Sequence, residues 1–146
     1  MQVDFYHLTV TPIERALPQI AEKVLASGGR LLVVAGEGAA RTRLDQALWA
    51  YAPESFLPHG QAGGEDDARQ PVLIAESPEA ANGARHIALA DGVWREEALA
   101  FERAFHFFDE ERIGDARAAW KGLAERDGIE RNYWKQSEAG RWEKAA

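Results

Sequence analysis

Three short, nearly continuous apolar runs most strongly constrain how this chain can fold. They occupy residues 31–35 (LLVVA), 71–75 (PVLIA) and 86–90 (HIALA). Runs of this length without polar alternation suit strands covered on both faces, as in a parallel sheet. A further strand is predicted over residues 3–8, where β-branched and aromatic side chains predominate. Because parallel strands are joined by crossover segments, we expect helices between these runs.

Helical periodicity is found between the predicted strands. Apolar residues recur at steps of three and four from Ile13 to Leu25, after a Thr11-Pro12 pair that predicts a helix start capped by Thr11. A second helix is predicted from Arg41 to Pro53, and a third over residues 110–125. The alternation of strands and helices predicts an α/β sandwich with a largely parallel sheet.

The remaining segments have weaker patterns. Residues 55–57 (SFL) predict a short strand, and residues 60–70 predict a polar, glycine-rich loop. Residues 93–108 predict a helix from about Arg95 that gives way to a strand near residues 105–108. Their aromatic side chains are interpreted as core, with a docking face for another subunit as the alternative. Trp49 lies off the apolar stripe of its helix and is interpreted as a buried helix border.

Composition narrows the class of protein. The 146 residues include no cysteine, which excludes disulfides, thiol catalysis and cysteine-ligated zinc and fits a cytoplasmic location. No apolar run approaches the ~20 residues that span a bilayer, and the first ten residues do not resemble a secretory signal. We therefore expect one domain over residues 1–146 and no membrane association.

The charge of the chain is negative and unevenly distributed. The formal net charge is −7, which argues against broad binding to a nucleic-acid backbone. Residues 113–146, however, carry seven Lys or Arg against six Asp or Glu. We expect this last quarter to receive any anionic partner, and direct binding of single-stranded nucleic acid there is kept as an alternative.

Motifs of catalysis are not evident. None of the four histidines has a partner at a metal-ligand spacing, and no GxSxG motif occurs, so we expect no catalytic residue, metal or cofactor. Gly36-Glu37-Gly38 joins a strand to a helix, where a phosphate can bind. The turn lacks the third glycine of a dinucleotide fingerprint and the Gly-Lys-Ser/Thr of a P-loop. A nucleotide-binding α/β enzyme using this turn remains the alternative function.

One cluster of side chains suits peptide binding. Arg117 and Lys121 lie four residues apart and flank Trp120 on the third predicted helix. An indole bordered by two cations suits a short peptide with an apolar end and negative charge. By spacing alone, a solvated helix edge explains the same residues.

Several longer motifs resemble the chi subunit family of bacterial DNA polymerase III. They are residues 43–45 (RLD), 48–49 (LW) and 55–59 (SFLPH), with residues 116–121 (ARAAWK) matching the family's tail-binding helix. The resemblance extends over essentially the whole chain and includes residues 133–136 and 140–143 (YWKQ and GRWE). It implies an α/β, Rossmann-like three-layer sandwich with a central, largely parallel sheet, formed by a single domain.

The resemblance also implies a function. Members of the family are non-catalytic clamp-loader subunits that bind the psi subunit and the acidic C-terminal tail of single-stranded DNA-binding protein, which ends in Pro-Phe. Arg117 and Lys121 would meet the charges of that tail, and Trp120 would wall the pocket for its Phe. This implies no cofactor and no direct contact with nucleic acid. Ala124 departs from the basic residue that some members carry there, although Arg126 is near.

Overall fold

A computed structural model describes residues 1–51 and 57–146, in which eight strands and three α-helices follow one another. In chain order they are β1 (Gln2–His7), α1 (Ile13–Ala26), β2 (Leu31–Val34), α2 (Gly38–Ala50), β3 (His59–Gln61), β4 (Val72–Ala75), β5 (His86–Leu89), β6 (Arg103–Phe108), α3 (Ile113–Ala124), β7 (Glu130–Gln136) and β8 (Trp142–Lys144). Short 3₁₀ helices span Asp67–Arg69, Glu96–Ala100 and Glu110–Arg112.

All eight strands belong to one sheet, in the order β3-β4-β2-β5-β6-β1-β7-β8. Neighbouring strands are parallel except for β7 and β8, which are antiparallel. Strand β1 lies between β6 and β7, so Gln2 is in register with both Arg103 and Glu130. The predicted central, largely parallel sheet is therefore confirmed.

Each face of the sheet has its own core. Helices α1 and α2 cover one face, where Leu17 and Leu48 pack with Tyr6 of β1. Helix α3 lies on the other face, where Ala116 packs with Phe5. Because successive side chains of a strand point to opposite faces, β1 contributes to both cores. These layers confirm the Rossmann-like three-layer sandwich.

The predicted cap of α1 is wrong. The N-cap residue is Pro12, and no side chain caps the helix. The backbone N–H groups of Thr9, Val10 and Thr11 instead donate to Oε1 of Gln136, at 3.2, 3.0 and 3.0 Å. The Thr11 hydroxyl accepts from Nε2 of Gln136 at 2.8 Å. A residue of β7 therefore holds the segment before α1, whereas the backbone N–H groups of Arg15 and Ala16 donate to the carbonyl oxygen of Pro12.

Other boundaries also differ from the predictions. Strand β3 lies where a loop from Gly60 was expected, because it pairs with β4 at the edge of the sheet. The helix predicted near Arg95 is confined to the 3₁₀ turn Glu96–Ala100. Trp49 is 59% exposed and does not form a buried border, since the buried residues of α2 are Leu44 and Leu48.

The proposed end of α2 at Pro53 and most of the predicted strand over residues 55–57 lie outside the described residues. Within residues 1–51 and 57–146, no helix has both the length and the apolar character needed to cross a bilayer.

Candidate functional site

The three residues of the predicted peptide site all lie on α3. Ala116 and Leu123 are buried and fix the helix against the sheet. Arg117 and Lys121 are exposed, whereas Trp120 is partly buried against the core. The helix therefore brings two exposed cations next to one anchored indole. We call Arg117, Trp120 and Lys121 the α3 ledge.

Trp120 is held by aromatic neighbours on two strands. Its ring meets Phe5 edge-on at 5.3 Å and Tyr133 edge-on at 5.6 Å between centroids. The guanidinium carbon of Arg131 lies 4.0 Å from the centroid of the indole, and Nη1 of Arg131 donates to the carbonyl oxygen of Trp120 at 2.6 Å. Such contacts restrict the rotamer of the indole, so any partner meets a preformed apolar surface.

Arg131 and Tyr133 are neighbours of Trp120 that the sequence did not indicate. Both lie on β7, two residues apart, so their side chains emerge on the same face of the sheet. That spacing was a usable signal, but nothing local indicated that this face lies under α3. Arg131 adds a third cation beside Trp120.

The cations of the α3 ledge are not neutralised by the part of the chain that is described. Neither Arg117 nor Lys121 forms an ion pair within those residues. Burial raises the pKa of Tyr133, and the positive charge of Arg117 opposes that rise. Arg126, by contrast, binds Glu96 at 2.8 Å.

The Gly36–Gly38 turn is filled by groups of the chain itself. The Gly36 N–H donates to Oδ2 of Asp91 at 2.9 Å, and Asp91 also receives two hydrogen bonds from Arg95, at 2.8 and 2.9 Å. Burial alone would raise the pKa of Asp91, but hydrogen bonds from Arg95 and Gly36 hold it below its usual range. A phosphate at this turn would have to displace a fixed carboxylate, which disfavours the alternative function.

His59 and His106 are buried histidines that contact other parts of the fold. The ring of His59 links two elements, with Nδ1 2.7 Å from the carbonyl oxygen of Leu57 and Nε2 3.1 Å from Oδ1 of Asp45. His106 is fully buried among aromatic rings. Among residues 1–51 and 57–146, no three His, Cys, Asp or Glu side chains converge as metal ligands would.

Comparisons with known proteins agree with the resemblance seen in the sequence. The chain is 33% identical over 81 residues to DNA polymerase III subunit chi of Escherichia coli, which covers 56% of this chain and 55% of that protein. It is 33% identical over 76 residues to DNA polymerase III subunit chi of Pseudomonas aeruginosa, or 50% of this chain and 52% of that protein. The probable DNA polymerase III subunit chi of Rickettsia prowazekii is 25% identical over 83 residues, or 57% of this chain and 50% of that protein.

The chain thus spans about half the length of the curated relatives it matches. A family model described as "DNA polymerase III chi subunit, HolC" matches residues 1–130, which include β1, the sheet centre and the α3 ledge. On this match, the chain belongs to the DNA polymerase III chi subunit family.

Proposed function

We propose that this protein is a non-catalytic, cytoplasmic accessory subunit of the DNA polymerase III clamp-loader assembly. In this role it binds the acidic C-terminal tail of single-stranded DNA-binding protein, and it also binds the psi subunit. Membership of the chi family supports the assignment to replication. The observation that carries the peptide-binding role is the partly buried indole of Trp120, bordered by exposed Arg117 and Lys121.

The mechanism is capture of a free chain end. The apolar terminal side chain of the tail packs against Trp120, whose ring is already held by Phe5 and Arg131. Arg117 and Lys121 receive the terminal carboxylate and the acidic side chains, because charge-assisted hydrogen bonds to carboxylates are strong. Since the site is exposed, added salt should weaken binding. Several tails offered together should raise the apparent affinity.

The experiment measures fluorescence anisotropy of a labelled acidic peptide that ends in Pro-Phe. Lys121→Ala is expected to raise the dissociation constant about five-fold, the effect of losing one exposed charge pair worth about 1 kcal/mol. Lys23→Ala is the matched control, because Lys23 is an exposed lysine on α1, across the sheet. Equal affinities of the wild type and Lys121→Ala would remove the α3 ledge from the mechanism.

Assembly with the two partners is tested separately. Full-length single-stranded DNA-binding protein should be retained by this chain in a pull-down, and a form lacking its last few residues should not. Co-expression with a psi subunit should yield a complex that survives gel filtration. Retention of the truncated form at the same level would contradict the proposed tail recognition.

A further inference from the structure

A second cleft lies on the face of the sheet opposite the α3 ledge. Its volume is about 310 Å³, and it lies between α1 and the strands β1, β6, β7 and β8. We call it the aromatic cleft, because Tyr6, Phe105, Trp134 and Trp142 line it. All four belong to or pack against the core under α1, whereas Trp120 packs against the other core.

Of the rings that line the aromatic cleft, Tyr6 and Phe105 are buried, with 7% and 3% of their surface exposed, whereas Trp134 and Trp142 are partly exposed. Tyr6 and Trp134 are nearly parallel, with an interplanar angle of 11° and centroids 6.3 Å apart. Trp142 stands at 82° to Tyr6, with its centroid at 5.0 Å. A flat ring can therefore lie against the partly exposed indoles of Trp134 and Trp142, an arrangement that suits a planar ligand.

Arg103 presents a fixed guanidinium at this cleft. Its Nε donates to Oδ2 of the buried Asp4 at 2.8 Å, and its Cζ lies 4.8 Å from the centroid of Phe105. Asp4 also accepts hydrogen bonds from Asn132 and Trp134, both at 3.1 Å, so that its carboxylate is well satisfied.

The outer nitrogens of Arg103 remain available. Neither Nη atom donates to another group within the described residues, and the side chain is 37% exposed. Because Nε and the ring contact fix its plane, Arg103 offers a pre-oriented fork of N–H donors. Such a fork matches the oxygens of a phosphate or a carboxylate.

The charge of the cleft favours an anion. Lys23 of α1 supplies an exposed cation, and no Asp or Glu is among the described residues that line the cleft. Asp4, buried and paired with Arg103, is the carboxylate bound to a lining cation. The rest of the molecule is acidic, with a formal net charge of −7. An anionic ligand is therefore attracted locally, whereas an extended polyanion would be repelled beyond the cleft.

Two polar side chains that line the aromatic cleft distinguish between classes of ligand. Gln19 and His86 both line the cleft. Burial, followed by the charge of Arg103, lowers the pKa of His86 and so favours its neutral imidazole. Its Nδ1 is buried without a partner among the described residues, which leaves Nε2 to meet a ligand. A phenyl side chain would leave these groups without partners, whereas a nucleobase has a polar edge that can pair with them.

We propose that the aromatic cleft binds one nucleotide unit, with its base against Trp134 and Trp142 and its phosphate held by Arg103 and Lys23. The unit is either a free nucleoside monophosphate or a single nucleotide of a DNA strand, because both present the same chemistry. This proposal does not rest on the peptide-binding function, since the two sites lie on opposite faces of the sheet.

The test is a titration of the full chain with thymidine monophosphate, followed by NMR of the tryptophan indole N–H signals. The signals of Trp134 and Trp142 should shift, whereas that of Trp120 should not. Thymidine and inorganic phosphate, added separately, should each bind more weakly than the monophosphate. A short thymidine oligonucleotide identifies the source: tighter binding than the monophosphate indicates a strand, and weaker binding indicates the free nucleotide.

Two variants test the two halves of the site. Trp142→Ala is expected to raise the dissociation constant about ten-fold, the effect of losing one base–aromatic contact. Lys23→Ala is expected to raise it about three-fold, as befits an exposed charge pair. Lys135→Ala is the control, because Lys135 is an exposed lysine of β7 that does not line the cleft, and this variant should bind as the wild type does. Arg103 is left intact because its loss would leave Asp4 buried without its ion pair.

The proposal is overturned if millimolar thymidine monophosphate shifts neither the Trp134 nor the Trp142 signal. It is also overturned if Trp142→Ala and the wild type bind equally. Displacement of the nucleotide from the cleft by an acidic peptide that binds there more tightly would identify a peptide site and refute the assignment. None of these results bears on peptide binding at the α3 ledge, which Lys121→Ala tests by itself.

Discussion

His106 should make the stability of this protein fall steeply in mild acid. The side chain is fully buried on β6, where its ring meets Phe5 at 5.3 Å and Trp94 at 5.5 Å between centroids. Neither ring nitrogen has a hydrogen-bond partner within the described residues. Burial therefore penalises the imidazolium and lowers the pKa of His106 from 6.5 to about 4.

The sign and size of the effect follow from the two pKa values. Below pH 6.5 the unfolded chain takes up a proton at His106, whereas the folded chain does so only near pH 4. Since the unfolded state then binds more protons, the free energy of unfolding falls as the pH falls through this window. The loss from His106 is about 2 kcal/mol between pH 7.5 and pH 5, and about 3 kcal/mol by pH 4.

The assay is urea denaturation at pH 7.5 and pH 5, for the wild type and for His106→Phe. Phenylalanine preserves a ring among Phe5 and Trp94 but cannot be protonated, and it removes two buried nitrogens without partners. The variant should be at least as stable as the wild type at pH 7.5 and should lose about 2 kcal/mol less on acidification. Every other titrating group is common to both proteins and cancels. If both proteins lose the same stability, protonation of His106 is not resisted by the fold.

Two further substitutions test long-range contacts. Asp4→Ala should lower the free energy of unfolding, measured by chemical denaturation, by about 3 kcal/mol. The reason is that Arg103 loses its ion partner and buried donors lose their acceptor. A loss below about 1 kcal/mol would mean that the buried carboxylate does not stabilise the fold. Gln136→Ala should cost about 1–2 kcal/mol, because three backbone N–H groups lose their acceptor. Gln136→Glu keeps that acceptor and should recover part of the loss, and equal melting temperatures for the two variants would contradict this role.

The strands at the centre of the sheet were predictable, because a strand that is buried on both faces is a short run of apolar residues. The apolar runs at residues 31–35, 71–75 and 86–90 became β2, β4 and β5 with boundaries shifted by no more than one residue. Strand β3 (His59–Gln61) has no such signal, since its residues are polar or small and it is a strand only because β4 lies beside it. Strand propensity is a property of a segment's own residues, whereas an edge strand such as β3 depends on pairing with the next strand.

The candidate site was predictable in part for the same reason. The positions of Arg117, Trp120 and Lys121 on one helix follow from helical periodicity, and α3 has the predicted span to within a turn. The role of Arg131 was not predictable, because its contact with Trp120 requires β7 to pass beneath α3. In the structure Arg117 and Lys121 are exposed and Trp120 is partly buried, as a peptide-binding helix requires.

The sequence by itself determined which segments are helices and central strands, and which helix carries two cations around an indole. These features depend on residues two to four positions apart, so periodicity is enough to predict them. Only the tertiary structure decided that Asp4 orients Arg103 from 99 residues away, and that Gln136 occupies the loop before α1. Such contacts depend on the order of strands in the sheet, which local periodicity does not encode.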